Sequence, residues 1–256
     1  MNKNEEKARS LLTAIYPRYD RRYLATDPIQ FPHLYQDTKD QELVALLAAL
    51  LAFGNAKAAI QSIRRWLAPL GPSPTETLKN KQLFNESDLP DGHRWVRAGD
   101  ILLLLKRLAL LYKDHETLED LFLKGISPED PDIQNGLEQF SQKFQIKNPS
   151  RGFQYFFPSP AKGSACKRLN LFLRWVVRPS DGIDLGLWKR ISPSKLIVPV
   201  DIHVYRFAKT FRLTHTRTAN WKMAKEVTVF LKKLDPDDPV KYDFSICHWG
   251  MEKNRK

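Results

Sequence analysis

Apolar residues recur at the three-to-four-residue spacing of amphipathic helices along most of the chain, and no alternating run is long enough to mark a strand. The spacing predicts helices near 4–16, 40–53, 56–68, 94–112, 116–123, 134–144, 164–178, 202–211, 219–234 and 239–250. Asp40 and Asp201 stand just before apolar-periodic segments, where a short carboxylate accepts from the free N–H groups of a first turn. Breakers separate the segments at Gly71-Pro72, Leu89-Pro90-Asp91-Gly92, Pro128–Pro131, Pro158–Gly163 and Pro179–Gly182. The expected fold class is therefore all-α. The longest apolar run, Leu43 to Phe53, has eleven residues, well short of the roughly 20 that a membrane span requires. It reads as a buried helix.

Composition narrows the function classes. A chain of 256 residues with 42% apolar content can bury one sizeable core or two smaller ones. The N-terminal MNKNEEKARSLLTAIY mixes both charges and has no apolar core of a secretory signal, so a cytoplasmic location is expected, at the nucleoid if the source is bacterial. Cys166 and Cys247 are too few for a disulfide framework, a four-cysteine zinc site or a four-cysteine iron–sulfur cluster. His203 and the Cys247-His248 pair lack partners at metal-ligand spacing, so neither a metal nor another cofactor is expected.

The net charge of +12 is unevenly placed. Residues 1–150 hold 20 Lys and Arg against 20 Asp and Glu, whereas residues 151–256 hold 21 against 9. A polyanion would be gripped by the second part, because neutralising phosphates releases condensed counterions. Nucleotide-fold signals are missing: there is no G-x-G-x-x-G, and Lys162-Gly163-Ser164 has neither the leading glycine nor the preceding strand of a P-loop. G-x-S-x-G and H-E-x-x-H are absent too, which removes the commonest hydrolase readings.

The informative stretch runs from Phe157 to Leu213. Pro158 to Gly163 form a tight loop, and Ser164 is placed to open a helix whose unpaired N–H groups would meet a phosphate. Lys167, Leu171, Arg174 and Arg178 fall on one face of that helix, which makes a stripe of three cations beside the apolar Leu169, Phe172, Leu173, Trp175 and Val176. Further on, Val198-Pro199-Val200-Asp201 approaches in extended form, since the proline disfavours helix at Val198, and Asp201 caps the next helix. The helix dipole favours its ionised form. An anion beside apolar valines can stabilise positive charge that develops in a reaction.

The phrase VPVDIHVYRFAK resembles the signature of the helix-hairpin-helix DNA glycosylases, in which a Pro-x-Asp segment brings a catalytic aspartate to the cleft after the hairpin. The chain as a whole resembles an uncharacterised bacterial family related to these enzymes, most clearly in FPHLYQDTKDQELVALLAALLAFGNAKAAI and KRLNLFLRWVVR. The long interval between Lys167 and Asp201 is closer to the archaeal 8-oxoguanine glycosylase branch than to endonuclease III. The resemblance implies a two-lobed helical fold with the active site between the lobes, one lobe being 38–178 and the other 1–37 with 179–256. It implies a base-excision repair glycosylase with AP-lyase activity, acting as a monomer on duplex DNA that carries a damaged base, such as an oxidised purine. Asp201 takes the place of the aspartate that stabilises the sugar cation, and Lys167 that of the lysine that forms a Schiff base, with Lys162 as the alternative nucleophile.

The same likeness puts Asn55, after the buried helix, where these enzymes carry the residue that fills the gap left by an extruded base; Phe53 is the second candidate. The expected DNA-contacting set is Asn55, Lys162, Gly163, Ser164, Arg168, Arg174, Arg178, His203 and Arg206. Trp95 and Trp249 are of the type that stacks on bases, and Arg206 is spaced to reach a phosphate or Asp201. The hairpin departs from the usual Gly-Val-Gly, offering Pro160-Ala161-Lys162-Gly163 instead. Two rivals would use the same basic half: a catalytically inert DNA-binding module of this fold, and an RNA-binding protein.

Overall fold

The computed structural model describes residues 1–80 and 89–253, and every regular element among them is helical. In chain order the helices are α1 (Lys3–Ile15), α2 (Thr38–Leu51), α3 (Ala56–Leu67), α4 (Pro74–Lys79), α5 (Ala98–Asp114), α6 (Leu118–Leu123), α7 (Gln134–Lys143), α8 (Arg151–Phe156), α9 (Lys167–Val177), α10 (Ile202–Thr210), α11 (Trp221–Lys232) and α12 (Asp243–Lys253). The all-α expectation holds, and none of the described helices is long and apolar enough to cross a membrane. The short α4 and α8, and the 3-10 turns between Tyr16 and Leu34, have too few residues for helical periodicity to show in sequence.

The chain forms two compact units, one of Met1–Tyr23, Pro131–Ile133 and Ser159–Lys256, the other of Leu24–Asp130 and Gln134–Pro158. Expectation had put 38–178, with Lys167, in one lobe and Asp201 in the other. Instead α9 belongs with Asp201.

In the Leu24–Pro158 unit, α2 is the central helix, apolar all round and buried from Leu43 to Leu51. Asp37, not Asp40, is its N-cap, accepting from the N–H groups of Lys39 and Asp40. Asp40 turns inward. Its Oδ1 accepts from Thr75 N at 2.7 Å and Thr75 Oγ1 at 2.6 Å, at the start of α4. Glu42 is buried likewise, accepting from Leu118 N at 2.9 Å at the start of α6 and from the Tyr112 hydroxyl at 3.0 Å. Two carboxylates of one helix thus hold the N-termini of two others, where unpaired N–H groups and the helix dipole favour an anion. Burial and the neighbouring Glu42 push the Tyr112 phenol well above its ordinary range. Phe140, Phe144, Phe153, Phe156 and Phe157 form an aromatic cluster beneath α7 and α8, with Phe144 and Phe157 stacked at 3.7 Å.

In the unit that holds Lys167 and Asp201, α10 packs on α12, and α12 on α1. Gly250 permits the first contact, since a Cβ there would lie 2.5 Å from His203 Nδ1. Helix α9 is buried on almost every side. Trp175, Phe172 and Val176 are sealed in the core, and Arg174 and Arg178 are only 3% and 5% exposed. Both guanidiniums are paired. Arg174 donates through Nη1 to Asp243 Oδ2 at 2.6 Å and through Nε to Asp184 Oδ1 at 3.2 Å. Arg178 donates to Asp184, to Asp181 at 3.0 Å and to Asp238 at 2.8 to 3.0 Å. These pairs tie α9 to the segment after it and to α12, which places 159–178 in this unit.

Burial pushes the Asp243 carboxyl up to about 6, with Arg174 opposing and Asp201 adding to the rise. Asp184 is raised as well, chiefly by burial and against the pull of Arg174 and Arg178. A group whose pKa is higher folded than unfolded favours folding when protonated, so ionisation of Asp243 costs stability as the pH climbs from about 4 to 6. Arg174→Met should remove about 3–5 kcal/mol from the stability of this unit at pH 7, read from urea unfolding, because buried Asp243 loses its counter-charge and Asp184 keeps only Arg178. The deficit should narrow at pH 5, where Asp243 takes up a proton. A variant as stable as the parent at pH 7 would show that the pair is not needed.

Candidate active site

Asp201 is positioned from both sides of the chain. The approach Val198–Val200 is buried, Val198 N donates to Thr228 Oγ1 of α11 at 3.0 Å, and Asp201 N turns back to Pro199 O at 3.2 Å, so the segment ends in a tight turn where the sequence predicts an extended run. Asp201 then ends the approach as the N-cap of α10. Its Oδ1 accepts from His203 N and Val204 N at 2.8 Å each. Two backbone donors and the positive end of the helix dipole stabilise the anion. The other oxygen, Oδ2, lies 3.5 Å from the Sγ of Cys247 on α12.

Lys167 reaches the same neighbourhood by another route. Pro160–Lys162 form a single 3-10 turn closed by Gly163 in the left-handed region at φ 78°. Trp221 N donates to Gly163 O at 3.1 Å, and Ser164 forms an isolated bridge with Asn220, so the strand-like segment is pinned to the start of α11. Ser164 therefore does not open the helix. Its Oγ instead accepts from Cys166 N at 3.1 Å. Cys166 turns the chain with φ at 47°, a conformation that costs a residue bearing a Cβ about 1–2 kcal/mol. Helix α9 begins immediately after, so Lys167 is its first residue and is half-buried.

Two side chains register both charges. Burial, reinforced by Asp201 and Asp243, pushes the Cys247 thiol well above its usual value, while Arg174 and Lys167 pull the other way. Burial also holds the His203 imidazole below its ordinary value; Asp201 opposes this, and Arg206, Lys167 and His248 add to it. The His203 Nδ1 atom is buried against Gly250 with no hydrogen-bond partner, which suits a neutral ring. The charges of Lys167 and Asp201 thus both reach this thiol and this imidazole, and Asp201 touches the thiol directly.

Other expected contacts are rearranged. Arg168, Arg174 and Arg178 are buried, and the last two are committed to carboxylates, so the stripe of cations faces the core and not phosphate. The physical reason is the surrounding apolar sequence, LFLRWVVR, which buries any cation placed within it unless the helix lies at the surface. Lys162, Gly163 and Arg206 remain exposed. In the other unit Asn55 is exposed and caps α3, accepting from Ala58 N at 3.3 Å, after Gly54 in a left-handed conformation at φ 83°. Phe53 is buried, with its ring against His93, Trp95 and Tyr155, so it is not available as a wedge. Trp95 itself is 43% exposed and carries the Arg94 guanidinium 4.7 Å from its ring centroid.

Sequence reasoning missed Cys247, Asp243 and Asp184 around the site. A signal existed: two arginines inside an apolar helix require buried acidic partners, and 181–184 and 235–243 are the acidic clusters nearest in the second half of the chain. Which aspartates answer them depends on how α12 packs.

No curated protein and no solved structure matches the chain. Residues 27–252 match DUF2400, a family described as protein of unknown function. The match takes in α2 to α12 almost entire, including Asn55, Lys167, Asp201 and Cys247, and the chain belongs to the DUF2400 family.

Proposed function

We infer that the protein is a DNA base-excision enzyme that releases a damaged base, with an oxidised purine as the favoured class, and then cleaves the strand as an AP lyase. The observation that carries this reading is that Asp201, the N-cap of α10 and in contact with Cys247, shares one unit with Lys167, the first residue of α9, and that the charges of both are felt at Cys247 and His203. An amine and a dipole-stabilised carboxylate acting on one spot are what two-step removal of a base from a sugar requires. The likeness of VPVDIHVYRFAK to the helix-hairpin-helix glycosylases supplies the substrate class.

In this mechanism the lesion nucleotide leaves the stack, at an unpairing cost of a few kcal/mol that is least for damaged pairs. The glycosidic bond breaks with its electron pair leaving on the base, and Asp201 stabilises the sugar cation. Lys167, as a neutral amine, attacks C1′ and loses a proton as the ring opens to a Schiff base. A base, either the released purine or water, then takes a C2′ proton, and its electron pair forms the C2′–C3′ double bond as the 3′ phosphate leaves with the C3′–O pair. The surplus of cations in residues 151–256 grips the duplex through exposed side chains such as Lys162 and Arg206.

Borohydride trapping on a duplex containing 8-oxoguanine tests the two roles separately. Wild type should give a covalent adduct and Lys167→Gln none. Asp201→Asn keeps a good N-cap, so α10 should stay formed while base release slows by about 10²-fold or more. On a duplex already lacking the base, Asp201→Asn should still trap through Lys167. Undiminished trapping by Lys167→Gln would move the nucleophile to Lys162, and no effect of either change on any duplex or RNA would leave a binding module.

Duplex affinity should fall steeply with salt. If about four to six phosphates are neutralised, log K against log salt slopes at roughly −4 to −5. Lys162→Ala and Arg206→Ala should each flatten the slope by about one unit or less, measured by fluorescence anisotropy, and a flat wild-type line would end the polyanion reading.

Asn55→Ser retains an oxygen that can cap α3, whereas Ala would cost about 1 kcal/mol of helix stability. The serine variant should melt like the parent yet lose 2-aminopurine fluorescence beside the lesion if Asn55 fills the vacated space. An unaltered signal would return Asn55 to its capping role alone.

A further inference from the structure

The reaction above uses Asp201 and leaves the thiol beside it without a role. Cys247 Sγ lies 3.5 Å from Asp201 Oδ2 and 3.7 Å from Asp243 Oδ1, so one thiol stands between two carboxylates. Asp243 is fixed on its far side by Arg174, and Arg174 in turn by Asp184. The thiol has a single proton to donate, and it remains a thiol because burial and both carboxylates oppose its ionisation.

The state of Asp243 therefore decides what Asp201 feels. When Asp243 is ionised, its charge adds to the negative field around Asp201. When it is protonated, that field weakens; the carboxyl can donate to the sulfur, and the thiol proton is committed to Asp201 Oδ2. We propose that Asp243 and Cys247 are positioning residues for Asp201, the ionised Asp243 acting through the thiol to keep Asp201 effective against the sugar cation. This rests on the glycosylase reading of the site.

The charged and titratable groups facing Asp243 are Arg174 from α9, Asp184 from the segment after it, Asp201 from the N-cap of α10 and Cys247 from its own helix. His203, with Lys167 and Arg206 around it, borders Asp201 from the other side. Asp243 is pushed up to about 6, mainly by burial. Base release should consequently decline as the pH falls through about 6.

The test is the pH–rate profile of base release from an 8-oxoguanine duplex, paired with carboxyl-carbon NMR of the DNA-free protein labelled at aspartate. Wild type should show an acid limb near 6 in both. Asp243→Asn should slow release by about tenfold or more at pH 7.5 and abolish the limb. Cys247→Ser, whose hydroxyl still donates, should keep the limb. Cys247→Ala should weaken it and shift the Asp243 titration, and this variant serves if Asp243→Asn fails to fold. A limb near 6 that survives Asp243→Asn overturns the proposal, as does a Cys247→Ala profile superimposable on wild type. An Asp243 titration that responds to Cys247→Ala in a protein releasing no base from any duplex would uphold the coupling and sink the glycosylase reading instead.

Discussion

Arg174 lies in the core between two fully buried carboxylates, Asp184 and Asp243, and the unit that holds the candidate active site is organised around that contact. A guanidinium is suited to the position because its planar fork presents several donors at once and keeps its charge at any accessible pH. Removing three charges from water costs several kcal/mol each, and their mutual attraction returns that only when the geometry is filled. Arg178 extends the same chain to Asp181 and Asp238 nearer the surface. The result fixes the C-terminal half of α9, the segment that follows it and the start of α12 relative to one another.

That fixation matters at the other ends of the same elements. Lys167 begins α9 and Asp201 begins α10, so both are presented at helix N-termini, where the backbone has donors to spare and the dipole is positive. In the proposed reaction these are the two groups that would work on one sugar. Gly250 lets α12 approach α10 closely enough for Cys247 to touch Asp201. The ion pairs and the site are thus successive contacts of one polar chain, buried from Arg178 to Asp243 and half-buried at its end: Arg178, Asp184, Arg174, Asp243, Cys247 and Asp201.

Burying arginines also changes what the basic composition means. Much of the charge that reads as a phosphate-binding stripe along α9 is internal and neutralised by aspartates. The surplus of cations in 151–256 remains, since it is a property of the composition, but the groups able to meet a polyanion lie elsewhere, on the 160–163 turn and on α10.

Helical content, the buried α2 and the cap at Asp201 were legible in the sequence, because each depends on residues within a few positions of one another. Local chemistry also misled in places. Asp40 and Ser164 have side chains suited to caps, but Asp40 is turned toward Thr75 and Ser164 is bridged to Asn220, partners 35 and 56 positions away. The unit boundary, the burial of Arg174 and Arg178 and the meeting of Cys247 with Asp201 were decided only by tertiary structure. A periodic pattern specifies which face of a helix is apolar, whereas the depth of a charged side chain depends on whether a distant carboxylate arrives to neutralise it.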